Sequence, residues 1–221
     1  MKLTVVAATG RIGTLVTEQA LAAGHDVTAV ARNPAALSTR TRVVPADLLR
    51  DGPDVLVPAL AGADAVVSCL GRRTAADAGV TPRGTQAIVE AMQVAGVRRV
   101  VAISAAPIGT VPSPGRPAPP RHDPGDGLLM RTVLSPLVKT VFRAYYAELA
   151  VMEDVLRESG TDWTVVRPPR LTNGPLTGTY RTAVDRNVRR GPTVSRADVA
   201  HLVLRVLEQP ATVHRTIGLA T

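Results

Sequence analysis

Residues 5–13 read VVAATGRIG, and the fold class turns on this stretch. The run KLTVVA leading into it is apolar and rich in β-branched residues, which marks a strand. Beyond it, Ile12, Leu15, Val16 and Leu21 recur at helical spacing, and Gly24 closes the segment. A strand, a glycine turn and a helix in that order form the context in which a glycine pair indicates nucleotide binding. Gly10 and Gly13 have the spacing of the last two glycines of a dinucleotide fingerprint. Gly10 lets the backbone approach a pyrophosphate, and Gly13 lets the helix pack closely on the sheet. The helix N-terminus adds unpaired N–H groups and a partial positive charge. Ala8, Thr9, Gly10, Arg11, Ile12 and Gly13 are therefore candidate cofactor-binding residues. Ala7 stands where such turns commonly carry a first glycine, and two readings of it are open. With φ positive, alanine costs about 1 kcal/mol and weakens the cradle; with φ negative it costs little.

The alternation continues downstream. DVTAVA, RVVPAD, ADAVVSCLG, RRVVAISAA and TDWTVVRP read as strands, and TGTYRTAV and RTIGLA as shorter ones. DVLVPALAG reads as a short helix. TPRGTQAIVEAMQVAGV reads as a helix starting near Thr81–Pro82 with a cap residue before the proline, and SRADVAHLVLRVLEQP as a last helix capped by Ser195. Strands and helices alternating through short connections predict a parallel sheet joined by right-handed crossovers. The expected fold is α/β: a Rossmann-like three-layer domain spanning 1–221, with a small C-terminal substrate region. Two segments break the pattern. Residues 107–127, PIGTVPSPGRPAPPRHDPGDG, form a Pro/Gly-rich loop, read as a solvated linker or as a lid. The stretch LLMRTVLSPLVKTVFRAYYAELAVMEDVLRESG reads as one or two helices bent near Pro136.

Composition narrows the function classes. The 221 residues are 45% hydrophobic, enough for one sizeable core. Aromatics are only 2%, so the core is aliphatic, which suits a buried parallel sheet and poorly suits base stacking on nucleic acid. Cys69 is the sole cysteine, which excludes an intrachain disulfide and a cysteine-rich metal site. No secretory signal and no apolar run of roughly 18 residues is present, so the expectation is a cytoplasmic protein without a membrane partner. The net charge of +8 is almost all arginine, since Lys2 and Lys139 are the only lysines. It reads as a solvated surface or as attraction for anions such as a phosphorylated cofactor. No compact helix-turn-helix or zinc-finger pattern points to nucleic acid. The expected partner is a small-molecule substrate, and monomer and dimer are equally open.

Further candidates lie where strands end. NAD-preferring sites place an acid about 20 residues past the glycines; here Arg32 stands there, nineteen residues after Gly13. A guanidinium in that place suits the 2′-phosphate of NADP, with Arg11 as a second charge. The alternative is an exposed arginine on a turn before Pro34. Asp47, ending the third strand beside Leu48, either accepts from an adenine amino group or caps its own turn. Leu70, Gly71 and Arg72 end the fourth strand, beside the expected ribose and nicotinamide, where glycine permits close approach; Arg72 and Arg73 also read as plain surface charges.

The segments VVAATGRIG, VTAVARNP, DAVVSCLG, VRRVVAIS, VLRESGTDWTVVRPPRLTNGPLTGTY and VSRADVAHLVLRVL together resemble the atypical short-chain dehydrogenase/reductases with an NAD(P)H-binding domain, the NmrA-like group, and within it the flavin- and biliverdin-reducing members. The resemblance covers nearly the whole chain except the Pro-rich insert. It implies a sheet of about seven strands and NADPH in the switch-point crevice. It also implies a substrate over the nicotinamide, with Pro168, Pro169 and Arg170 at its border. The sequence departs from the wider group at the chemistry. Members that protonate a carbonyl use a tyrosine with a lysine four residues on. Four residues past Tyr145, Tyr146 and Tyr180 stand Leu149, Ala150 and Val184. The serine pair after the fifth strand is reduced to Ser104–Ala105, and Arg170 replaces a histidine after the double proline. Arg170 remains as a cation beside developing charge or as a structural arginine paired with an acid, Ser104 as the surviving hydroxyl at the cofactor, and Tyr146 and Glu153 as helix-borne candidates for a substrate hydrogen bond or proton relay, with core or surface roles as the alternative. His122 reads as solvated, and His201 and His214 as structural. Two functions stay open: hydride transfer from NADPH to a flavin, quinone or related conjugated acceptor, or cofactor binding without redox turnover, as in a redox-sensing regulator or a biosynthetic isomerase or cyclase.

Overall fold

A computed structural model of the chain describes residues 1–37, 41–127 and 140–221. The elements run β1 (Lys2–Val6), α1 (Arg11–Ala22), β2 (Asp26–Ala31), β3 (Arg42–Pro45), α2 (Val57–Leu60), β4 (Ala65–Ser68), α3 (Val80–Ala95), β5 (Arg99–Ile103), α4 (Arg143–Glu158), β6 (Asp162–Arg167), β7 (Arg170–Thr172), β8 (Arg181–Val184), β9 (Thr193–Ser195), α5 (Arg196–Leu207) and β10 (Arg215–Ala220). The main sheet has eight strands in the order β3-β2-β1-β4-β5-β6-β10-β8, and β7 and β9 form a separate parallel pair. Within the main sheet every pairing is parallel except β8 on β10. Against an expected mostly parallel sheet of about seven strands, seven are parallel, and β8, from the segment TGTYRTAV read as a short strand, adds an antiparallel edge whose Arg181, Thr182 and Val184 face solvent.

The sheet is buried on both faces, so its strands carry no polar alternation. Val6, Val30, Val66, Val100 and Val165 pack against α2, α3 and α4. Their neighbours Val5, Val27, Val67, Val101 and Val166 pack against α1 and α5. The two helices on that second face are tied by Gln19 Nε2, which donates to the Ala197 carbonyl at 3.0 Å. Part of the arginine excess is structural: the Arg99 guanidinium donates to the carbonyls of Asp162 and Val206 and to Thr212 Oγ1 under the sheet.

Three local expectations meet the structure differently. Ser195 caps α5 as expected, its Oγ accepting from Asp198 N at 2.9 Å. Helix α3, however, starts at Val80 behind Gly79 (φ 82°), not at Thr81–Pro82 with a side-chain cap. Pro82 is tolerated as its third residue because the first four N–H groups of a helix have no internal partner. Residues 107–127 are folded onto the α4 side. Ala106–Thr110 form a 3-10 turn, Ser113 bridges Arg116, Gly115 N donates to Asp154 Oδ2, and Asp123 Oδ1 accepts from the amides of Gly125 and Asn187. The bend expected at Pro136 lies outside the described residues. Among the described residues no helix is long and apolar enough to cross a membrane.

Strand order reverses between β1 and β4. In open parallel sheets a ligand crevice lies outside the carboxyl ends of the strands at such a switch point. The glycine turn, the arginine after β2 and the loop after β4 all sit there.

Candidate functional site

The turn after β1 is built around Ala7, whose φ of 59° decides between the two readings in favour of the strained one. This left-handed residue turns its carbonyl toward the start of α1. There it accepts from Gly10 N at 2.9 Å and crowds Gly13, where an added Cβ would lie 2.3 Å from it. A Cβ at Gly10 would sit 3.1 Å from the same oxygen. Helix α1 starts at Arg11 behind Gly10, with no side-chain cap and no acid in its first turn. Its first N–H groups therefore have no side-chain competitor for an anion, and the turn fits a phosphate. Glycine at position 7 would remove a left-handed penalty of about 1–2 kcal/mol against an entropic cost of about 0.4–1 kcal/mol in the unfolded chain. Ala7→Gly is accordingly expected to stabilise the protein by about 0.5–1 kcal/mol; a lowered urea midpoint would contradict the strain.

Arg32 is more than a charge on a turn. Its Nη1 donates to Asp77 Oδ1 at 2.8 Å while about half its side chain stays exposed. Asp77 Oδ2 also accepts from the amides of Thr74 and Arg73 and from Thr74 Oγ1. The Thr74 and Arg73 amides and the Arg32 guanidinium hold its carboxyl below the usual aspartate range despite burial. Asp77 thus positions Arg32 from the loop after β4, a link nothing in the sequence signals. Asp47 takes the second of its two readings: Oδ1 accepts from Leu49 N at 3.1 Å, within its own turn. Leu48 and Leu70 are buried under α3, and Gly84 allows it, since a Cβ there would lie 2.7 Å from Leu70 Cδ1. A glycine inside the helical segment TPRGTQ was the available signal.

At the end of β4, Gly71 faces α4, where an added Cβ would meet the Tyr145 hydroxyl at 3.6 Å. Arg72 is drawn inward as well: Nε donates to the Thr74 carbonyl and Nη1 lies 3.7 Å from Glu148 Oε1. Burial raises the phenol pKa of Tyr145, with the Glu148 carboxylate adding to it, and burial and Tyr145 raise that of Tyr146. Neither phenol is activated. Tyr146 packs on Phe142, ring centroids 5.8 Å apart. Burial also pushes the Cys69 thiol up to about 12, which removes it as a nucleophile.

Ser104 follows β5 into the crevice, buried, but its hydroxyl donates to Glu153 Oε1 at 2.7 Å. Glu153, 1% exposed, also accepts from Arg167 Nε at 2.9 Å, from Arg167 Nη2 and from Arg157 Nη2. Arg157 Nη1 reaches Asp154 at 3.1 Å. Burial pushes the Glu153 pKa up, but the two guanidinia and the Ser104 hydroxyl outweigh it and the net shift is down. Glu153 is thus a core anion that fixes Ser104. Asp198, fully buried, is lowered in the same way by the Thr177 and Gly178 amides and Ser195, and so anchors the 177–178 turn to α5. For both acids the folded pKa lies below the unfolded one. Their stabilisation is present above the unfolded pKa, about 4, and is lost as pH falls through the folded values. Unfolding free energy is expected to be flat from pH 7 to 5 and to drop below pH 4; a profile unchanged at pH 3 would contradict both locks.

Pro168 accepts from Ala106 N at 2.9 Å and so joins the ends of β5 and β6, and Pro169 is half-buried beside it. Arg170 opens β7, is exposed, and forms no ion pair among the described residues. The crevice thus gathers 8–13, Arg32, the 47–48 and 70–72 turns, Ser104 and Pro168–Pro169 at successive strand ends, while Tyr146 lies in an aromatic contact and Ser104 in an ionic one. His122 is exposed; His201 accepts or donates at Tyr180 OH, 2.7 Å away, and His214 Nε2 pairs with the Thr161 carbonyl. Among the described residues no cluster of three or more His, Cys, Asp or Glu could hold a metal.

A family model described as NAD(P)H-binding matches residues 7–210. YhfK of Bacillus subtilis, named an uncharacterised sugar epimerase, is 28% identical over 175 residues, covering 77% of this chain and 69% of its own. SP1627 of Streptococcus pneumoniae, an NADH-flavin reductase candidate, superposes with a TM-score of 0.75 at 24% identity over 100% of this chain and 99% of its own. A wide-type short-chain dehydrogenase/reductase of Veillonella parvula, solved in complex with NADP, gives 0.74 at 20% over 100% and 94%. At these identities the superpositions establish a Rossmann-like fold.

Proposed function

Because the chain belongs to the NAD(P)H-binding family, we propose that it is an NADPH-dependent reductase of a flavin, quinone or related conjugated acceptor. The observation that carries this reading is the Ser104–Glu153 bond. With the serine proton engaged by a buried carboxylate and both α4 tyrosines shifted up, the described crevice residues hold no activated acid for a carbonyl oxygen. A conjugated acceptor spreads the incoming negative charge and takes its proton from water, so positioning suffices.

Bound NADPH supplies the hydride. The open first turn of α1 holds the pyrophosphate, with Arg11 beside it. Arg32, steadied by Asp77, meets the 2′-phosphate. Leu48 and Leu70 flank the adenosine half, and Gly71, Ser104, Pro168 and Pro169 border the nicotinamide half. Arg170, which forms no ion pair among the described residues, is the cation assigned in this reading to stabilise charge on the acceptor. The NADP complex of the Veillonella neighbour supports the choice of cofactor, and SP1627 supports the choice of acceptor.

The test is NADPH consumption with FMN, FAD and simple quinones. Turnover is expected with this panel and not with simple ketones, and Ser104→Ala is expected to retain turnover. NADPH is expected to bind more tightly than NADH by at least about 1.4 kcal/mol, the scale of one charged hydrogen bond. Arg32→Asp is expected to erase that preference; equal affinities in the unaltered protein would refute the role of Arg32. The epimerase naming of YhfK favours a second reading, cofactor binding without net redox turnover. Tight NADPH binding with no consumption across the panel would select it.

A further inference from the structure

The start of α4 carries a group that the proposed hydride transfer leaves without a role. Glu148 lies one turn beyond Tyr145 on this helix, and its side chain is 17% exposed. Its Oε1 has Arg72 Nη1 at 3.7 Å, too long for a hydrogen bond. Its Oε2 is buried and has no hydrogen-bond partner among the described residues. A carboxylate oxygen out of water without a donor is destabilising, and native proteins rarely leave one so. Arg72 matches the charge of Glu148 but does not fill its hydrogen-bonding capacity. The missing partner is therefore a neutral N–H or O–H rather than a second cation.

The surroundings indicate what carries that donor. Arg72 follows Gly71 in the loop after β4, and Gly71 faces the Tyr145 hydroxyl, so this end of α4 closes one side of the crevice. The Glu148 charge reaches the Tyr145 phenol, whose pKa it helps burial to raise. Three of the chain's five Phe, Tyr and Trp side chains gather here. Ring centroids are 5.8 Å apart for Phe142 and Tyr146 and 6.1 Å apart for Tyr145 and Tyr146, and Phe142 is half exposed. Flat rings beside an unfilled carboxylate oxygen suit a planar ligand whose edge donates a hydrogen bond. Resting on the reductase reading of this crevice, we propose that Glu148 is a specificity-determining residue that accepts a hydrogen bond from a ring N–H or hydroxyl of the acceptor. Flavins carry such a donor at N3 and bind through it, and planar acceptors without one bind less tightly.

The test titrates lumiflavin, whose fluorescence reports binding, into the full chain loaded with NADP+. The control is 3-methyllumiflavin, in which a methyl group replaces the N3–H. Lumiflavin is expected to bind about tenfold more tightly or better, the scale of a hydrogen bond to a charged group. Glu148→Leu removes the acceptor. In that variant lumiflavin is expected to fall to the affinity of the methylated control, which binds as before, with circular dichroism and NADP+ affinity unchanged. If Glu148→Leu fails to fold, the two flavins compared in the unaltered protein carry the test. Absence of lumiflavin binding, equal binding of the two flavins, or a Glu148→Leu protein that weakens both alike or still tells them apart would each overturn the proposal. Discrimination between the flavins without NADPH consumption would contradict the reductase reading and leave the Glu148 contact standing.

Discussion

Gly13→Ala is expected to destabilise the chain by roughly 3 kcal/mol and to weaken NADPH binding at least tenfold. The methyl carbon would lie 2.3 Å from the Ala7 carbonyl oxygen and 3.0 Å from Ala7 C and Ala8 Cα. All three are backbone atoms, so no side chain can swing aside. The clash must be relieved by moving α1 off the sheet or by unwinding the turn at Ala7. Overpacking of a fixed interior costs about 1–3 kcal/mol, and a backbone obstacle belongs at the upper end. Moving the helix also carries the α1 N–H groups away from the phosphate. Denaturant unfolding and cofactor titration read the two effects. A Gly13→Ala protein of unchanged stability would mean that helix and strand are not in contact here. Gly10→Ala is expected to be milder, because its Cβ meets the same oxygen at 3.1 Å.

Glu153→Gln is expected to cost about 3–5 kcal/mol, the penalty for leaving a buried partner charge uncompensated. Against a total stability of about 5–15 kcal/mol, that is enough to unfold a marginal protein. Arg167 is only 5% exposed, whereas Arg157 is 30% exposed in its side chain and can turn outward. Pairing Glu153→Leu with Arg167→Met removes both buried charges and is expected to lose less stability than Glu153→Gln alone. If the double variant is the less stable, Glu153 and Arg167 are not the coupled pair described. The amino-acid pattern alone places Glu153 on a helix but does not choose between relay and core.

That limit recurs wherever partners are far apart in the chain. The parallel sheet, its two covered faces and the glycine turn were legible because they rest on local periodicity and spacing. β8 was legible as a short strand in TGTYRTAV, but its antiparallel pairing and the three-residue β7–β9 pair were not, being fixed by tertiary contacts. The backbone angle at Ala7 left two readings open, since alanine itself carries no mark of a positive φ. Arg32 was legible as the residue after β2, while Asp77, forty-five positions on, emerged only from the fold. Ser104 stands in the sequence as a surviving hydroxyl at the cofactor; its proton proves to be engaged by a residue forty-nine positions away. Arg170 is exposed after two prolines and forms no ion pair among the described residues, and its role beside developing charge is a proposal.

The central claim is hydride transfer from NADPH within this crevice, and stereospecifically deuterated NADPH tests it most directly. In single turnover with a quinone or flavin acceptor, one of the two C4-deuterated isomers is expected to slow NADPH oxidation and lose its label, while the other is oxidised at the unlabelled rate and keeps its deuterium. Retention of label in both isomers, with NADPH bound at saturation and unconsumed, would contradict the account.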